Sequence, residues 1–407
     1  MRISNFGFAL ALAALGASAA VNPPPSPPQS VLSEIDRYVR GDFWDPKLKG
    51  VDWTAAVSRA EGELKAAKSP EERDAVYDRL LAALSDSHTF RLPAGRLPQR
   101  GWGTAGLRIG RDGDGWAVKG VLAGSSAERA GMKLGDRIVS VAGKPYGRDP
   151  VSFRDLFFVL EGAPGASVDV AWRPLAGGPE KTSRLALKLE EPGDTLVWRS
   201  ARVLRRDGKS YGYARLWGMS AETALAVVDM LLDRGEPARA RPNLSGWEGI
   251  DGFLLDLRAN AGGYDPGILS TLLRGRWSAG DYVLKSREGR SPAPPESRPL
   301  PVALLVNSGT ASAGEALALS FRRHKIGPIV GEKTAGMGSG GADAKRLSDG
   351  SLLWLSSRAM EDSDGRSYEG SGIPPDIEAA DRPPARPGEE EAIVEAAIRA
   401  LAGGGKR

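Results

Sequence analysis

Val302-Ala303-Leu304-Leu305-Val306-Asn307-Ser308-Gly309-Thr310-Ala311-Ser312-Ala313-Gly314-Glu315 is the stretch on which the reading of the fold turns. Five unbroken apolar residues predict a buried strand. A turn of small residues follows, and a helix opens at Ser312 or Ala313 and runs to Arg323. Pro328-Ile329-Val330 predicts a short strand beyond the helix, and Gly252–Leu257 a second buried strand before it. Strands alternating with helices over residues 195–390 imply an α/β layer. A serine at a strand-to-helix turn presents its hydroxyl above the sheet. The Ala313 amide, at the helix N-terminus, can meet a negative oxygen that forms there. Serine is also a common helix cap, and taken alone this stretch favours capping.

Toward the N-terminus the character changes twice. Residues 101–192 hold short β-type runs such as Arg137–Val141 and Ser167–Val170, separated by glycine-rich turns. Within them, Gly124–Asp136 resembles the core signature of a PDZ domain, a small β-barrel, and Gly106-Leu107-Arg108-Ile109-Gly110 would be its peptide-receiving loop and strand. Such domains add a peptide to an open sheet edge and capture its terminal carboxylate with backbone amides. Residues 30–95 have helical spacing, with Ser69-Pro70-Glu71-Glu72 as a helix start. Residues 1–20 have one early cation, an apolar run and small residues before a cleavage point, the layout of a secretory signal. A Pro-rich linker over 21–29 follows. The chain closes on a C-terminal helix and tail, 391–407.

Composition narrows the chemistry. Of 407 residues, 41% are hydrophobic and 26% charged, an ordinary globular balance. With 55 Lys+Arg against 51 Asp+Glu the net charge is +4, which gives no case for nucleic acid. There is no cysteine, so disulfides and a thiolate nucleophile are excluded, and the only two histidines are His88 and His324. His324 ends a helix beside other cations and reads as structural. No metal or organic cofactor is implied.

Three further stretches change the weight given to Ser312: Asp256–Gly263 with its Gly262-Gly263 turn, Gly331–Gly340, and Gly365–Asp376. Together with Asn307–Glu315, and after a PDZ-like block, they resemble the carboxyl-terminal (tail-specific) processing serine peptidases. The resemblance implies an α/β (α+β) multidomain chain with a ClpP/crotonase-like peptidase domain. It also implies Ser312 as nucleophile and an oxyanion hole from the amides of Gly262, Gly263 and Ala313. One position departs from that family: Met337 stands in Gly336-Met337-Gly338 where the processing peptidases carry their dyad lysine. Methionine cannot accept a proton, and Lys333 reads as a surface cation. A second branch, the tricorn-core peptidases, uses Ser–His–Ser–Glu. Ser87-His88 and Glu369, three residues before Gly372, are similar to that set. His88 would then be the base, with Ser87 and Glu369 orienting it.

The signal layout implies a periplasmic or secreted protein with no membrane segment once the signal is removed, and the resemblance implies a serine endopeptidase that takes polypeptides by their C-terminal tails. The competing expectation, raised by the missing lysine, is an inactive peptidase fold that binds peptides as an adaptor.

Overall fold

The computed structural model describes residues 28–96, 103–113, 115–146, 160–189, 193–231, 244–263, 285–286, 289–290, 300–340, 343–362, 364–384 and 391–403. The expected signal segment 1–20 and residues 21–27 of the expected linker lie outside these. The first helix, Pro28–Asp42, begins two residues inside the stretch expected as linker, because a proline is well tolerated in the first turn, where its missing N–H is not needed. No helix among the described residues is long and apolar enough to cross a membrane. The described chain forms two compact units, one drawn from Phe8–Glu190 and Gly336–Gly372, the other from Glu191–Ala335 and Ile373–Arg407. Residues 336–372, expected within the 195–390 block, therefore fold with the N-terminal unit.

In the N-terminal unit, helices Pro28–Asp42, Trp53–Ala66 and Pro70–Ala82 surround one apolar core. Asp52 caps the second helix through the Ala55 N–H (3.0 Å), and Ser69 caps the third through the Glu72 N–H (3.1 Å). Ile35, Val39, Trp53 and Leu81 pack with Leu347, Leu353 and Leu355, which come from the late segment. That segment supplies strands Asp343–Arg346 and Leu352–Leu355, and Phe90–Leu92 pairs antiparallel with the latter, Phe90 opposite Trp354. Arg91 is buried at this seam, with Asp74 and Asp349 each 2.5 Å from its guanidinium.

The PDZ-like block has an antiparallel path Leu107–Asp112, Gly115–Val121, Arg137–Val141, Ser167–Arg173, Lys181–Ala186, with Lys144–Pro145 folded back on the third strand. A separate small sheet places Gly103–Thr104 between Lys188–Leu189 and Glu161–Gly162. The expected barrel does not close among the described residues. Leu107–Asp112 and Lys181–Ala186 are the two ends of the path and each pairs on one side only. Register shifts at Arg108/Ile109 and Ile138/Ser140 bend the sheet without joining those ends.

The second unit is built on a six-stranded sheet in the order Arg202–Arg206, Lys209–Arg215, Gly252–Asp256, Val302–Val306, Ile329–Gly331, Ile377–Glu378. The first pair is antiparallel and the other pairs parallel. Its central strands are apolar on both faces and wholly buried, as a covered parallel sheet requires. Helix Ala392–Gly403 covers one face, packing Ile393, Ala397 and Ile398 on Leu254, Leu305 and Val330. Helix Ala313–His324 leaves the end of Val302–Val306. Adjacent parallel strands release their loops at the same sheet end, which is where open α/β sheets carry their sites. The loops after Asp256 and Val306 are two such neighbours.

Candidate active site

Ser312 is the N-cap of helix Ala313–His324 and is 8% exposed. Its backbone sits at φ 53°, ψ −119°, a conformation that L-residues avoid and that costs on the order of 1–3 kcal/mol. The surroundings impose it. The Ser312 N–H donates to Glu315 Oε2 (3.1 Å), and Glu315 Oε1 accepts from Thr334 Oγ1 (2.5 Å). The Ala311 N–H donates to Asn260 O (2.9 Å), tying the serine turn to the neighbouring loop. An ordinary cap would sit in relaxed extended backbone, as Ser69 does at φ −126°, ψ 160°.

Gly262 lies directly against this turn. A Cβ added to it would stand 2.5 Å from Ser312 Cβ and 3.1 Å from the Ala313 N, and its φ is +81°. The bare glycine backbone is what lets the two loops approach so closely. Its amide is not a free oxyanion donor, however, which corrects the sequence expectation. The Gly262 N–H is committed to Asn260 Oδ1 at 2.8 Å. An asparagine two residues upstream competes for such an N–H in a local turn. Among the described residues the N–H groups of Gly263 and Ala313 carry no hydrogen bond.

A buried ionic cluster braces the same loops. Arg258 grips Asp256 (3.0 and 2.6 Å) and Asp381 (2.7 Å), and Tyr213 donates to Asp256 (2.5 Å). Asn307 donates to Asp381 (2.6 Å) and accepts the N–H groups of Ala259 (2.8 Å) and Gly309 (2.9 Å). Burial would raise the Asp256 carboxyl, but Arg258 and Arg215, with the hydrogen bonds, overcome it and hold the pKa at about 2.

The N-terminal unit carries the second group. The Pro70–Ala82 helix ends in a polar turn that delivers Asp86, Ser87, His88 and Thr89, all buried. His88 Nδ1 lies 3.0 Å from Ser87 Oγ. Glu369 accepts the Ser87 N–H at Oε1 (2.6 Å) and the Ser87 hydroxyl at Oε2 (3.2 Å). Ser87, His88 and Glu369 are therefore brought together. So is Ser339, which the sequence reading passed over: it lies 3.2 Å from His88 Nδ1, and its own N–H donates to Glu369 Oε2 (2.7 Å). A serine inside a glycine-rich run has no periodicity or spacing to mark it. Burial pushes the His88 pKa down to about 4 against the opposing pull of Asp86. Burial, then Asp86, raises Glu369, while the bonds from Ser87 and Ser339 oppose them. Met337 is buried, Lys333 is exposed, and His324 is exposed at its helix end.

In the PDZ-like block, Gly106 has φ +70°, and a Cβ there would stand 2.1 Å from Ser125 Cβ. Leu107, Arg108 and Ile109 are buried, and Gly110 follows in the same end strand.

Comparison with known proteins gives these groups a family. The sequence profile described as peptidase family S41 matches residues 210–379, and that of a PDZ domain matches residues 118–174. Residues 210–379 thus match the S41 family, and the relatives are serine-type peptidases. The S41 match contains Ser312, Gly262, Gly263, Ala313, Ser339 and Glu369 but not Ser87 or His88. A "C-terminal processing peptidase, chloroplastic" of Tetradesmus obliquus is 29% identical over 381 residues, 86% of this chain and 77% of that protein. A "Putative tricorn protease homolog 2" of Streptomyces coelicolor is 27% identical over 378 residues, 87% of this chain but 30% of that protein. The chain thus spans under a third of the length of that relative. Among solved structures, a photosystem II D1 C-terminal processing protease superposes with a TM-score of 0.57 at 26% identity, covering 88% of this chain and 94% of that one.

Proposed function

We propose that this protein is an active S41 endopeptidase acting on polypeptides outside the cytoplasm, in the periplasm or after secretion. Ser312 attacks the scissile carbonyl and His88 takes its proton. The N–H groups of Gly263 and Ala313 hold the oxyanion. His88 then passes the proton to the leaving amine, and water, deprotonated the same way, releases the acyl group. Ser87 and Glu369 orient the imidazole. The PDZ-like block takes the substrate's C-terminal tail along Gly106–Gly110.

The observation that carries this reading is the strained, buried Ser312 at a strand-to-helix turn, with Gly262 stripped of any side chain against it. A retained strain of this size, where a relaxed cap would serve, supports a nucleophile. The base is assigned by elimination within the family pattern. Met337 offers no proton acceptor, while His88 is held neutral by burial. A serine-reactive phosphonate should label the wild type and not Ser312→Ala. His88→Ala should abolish turnover of fluorescently labelled casein, and Lys333→Ala should leave it near wild type. Loss of turnover in Lys333→Ala with survival in His88→Ala would overturn the base. Neither labelling nor turnover in the wild type would leave the adaptor reading in its place.

A further inference from the structure

The contacts around His88 form two arms where the family comparison led us to expect one. Resting on the reading of His88 as base, we propose that Ser339 and Asp86 are positioning residues that, with Ser87 and Glu369, lock His88 in the tautomer with the proton on Nδ1, leaving Nε2 to accept the proton of the nucleophile.

Two hydroxyls face the same ring nitrogen, Ser87 Oγ at 3.0 Å and Ser339 Oγ at 3.2 Å. Each has a carboxylate to receive its own proton: Ser87 donates to Glu369 Oε2 (3.2 Å) and Ser339 to Asp86 Oδ1 (3.2 Å). A hydroxyl has one proton to give. With each hydroxyl proton passed toward a carboxylate, directly or through the other serine, oxygen lone pairs face Nδ1, and this arrangement assigns that nitrogen as donor and Nε2 as acceptor. Ser339 Oγ also receives the His88 backbone N–H (3.3 Å), so its lone pairs serve ring and main chain together. Asp86 is fixed as an acceptor from several sides. The Trp44 indole N–H reaches Oδ2 (3.0 Å), and the hydroxyls of Thr89 (2.9 Å) and Ser356 (2.5 Å) reach Oδ1. It is therefore held facing Ser339. The two arms meet, since the Ser87 and Ser339 hydroxyls lie 3.0 Å apart and the Ser339 N–H shares Glu369 Oε2.

The test uses the full chain labelled with 15N-histidine at pH 7.5, where ring nitrogen shifts distinguish the two tautomers directly. With only two histidines, His324→Gln assigns the spectrum. The wild type should show His88 protonated on Nδ1 and bare on Nε2. Ser339→Ala should admit the Nε2-protonated form and lower kcat on labelled casein about tenfold with KM within twofold, the cost of one lost orienting bond. Ser339→Thr, which keeps a hydroxyl, should restore both. A wild-type His88 protonated on Nε2 overturns the proposal and requires no variant to fold. So does a Ser339→Ala enzyme with unchanged tautomer and unchanged kcat. Turnover that survives His88→Ala defeats the underlying reading of the base instead, a result the tautomer measurement does not depend on.

Discussion

Gly262→Ala is the sharpest perturbation of the serine turn. The added methyl would begin 2.5 Å from Ser312 Cβ, 3.0 Å from the Ala311 carbonyl oxygen and 3.1 Å from the Ala313 N. Two of these neighbours are main chain and the third is the first atom of a short side chain, so no flexible side-chain end can swing aside. Alanine at φ +81° adds its own strain, about 1–2 kcal/mol. Overpacking adds about 1–3 kcal/mol. The variant should lose on the order of 2–5 kcal/mol, read as a fall in the urea midpoint of tryptophan fluorescence. The chemistry should suffer more than stability. Carrying the methyl past 3.0 Å displaces Ser312 by at least about half an ångström, and a misplacement near 1 Å costs about 100-fold in rate. At about half that displacement, phosphonate labelling at Ser312 should slow by about tenfold or more. Gly41→Ala is the control: nothing lies within 4 Å of its Cβ, and it should gain up to about 1 kcal/mol with labelling unchanged. A Gly262→Ala protein that reacts at the wild-type rate would refute the close packing of the two loops and the strain argument with it.

Three further outcomes follow from the same geometry. Because burial holds the His88 pKa at about 4, kcat/KM should stay level from pH 8 to about 5 and reach half near pH 4; a midpoint at the ordinary imidazole value of about 6.5 would show that the ring is solvated. The sign for stability agrees. Between pH 6.5 and about 4 the unfolded chain binds a proton at His88 that the folded chain refuses, so this contribution is full above pH 6.5 and lost on acidification through that window, which urea midpoints of wild type and His88→Gln should reveal. Arg258→Met strands Asp256 and Asp381 and should cost about 3–5 kcal/mol at neutral pH, less at pH 4 where Asp256, no longer held low by Arg258, takes up a proton; equal losses at both pH values would contradict the charge account. A peptide with a free apolar C-terminal residue should bind the PDZ-like block several-fold tighter than its amide by fluorescence anisotropy, and Gly106→Ala should erase the difference while leaving Ser312 labelling intact.

How much of this was legible beforehand depends on how far apart in sequence the partners lie. Strand Val302–Val306 and helix Ala313–His324 came out where hydrophobic runs and small-residue turns put them, because both signals are local. The Ser69 cap followed for the same reason. The Asn260 side chain taking the Gly262 N–H was visible only as an Asn two residues before a glycine, a pattern too common to read without coordinates. The return of residues 336–372 to the N-terminal helices left no local mark at all, since strand Leu352–Leu355 is apolar like any core strand and its partner Phe90–Leu92 lies far upstream. Ser339 and Asp86 were missed for that reason: their importance comes from a long-range closure, and nothing in their own neighbourhoods requires it.

That closure also sets an order of events during synthesis. Arg91 waits for Ser351, 260 residues downstream, and the Ser87 N–H waits for Glu369, 282 residues on. At a ribosomal pace of about 5–20 residues per second, the shell around His88 stays open for roughly 14–56 seconds after its first residues emerge. The brace of the Ser312 loop comes later still, since Asn307 beside it waits for Asp381. The proposed base, His88, thus gains its orienting partners only when most of the polypeptide exists.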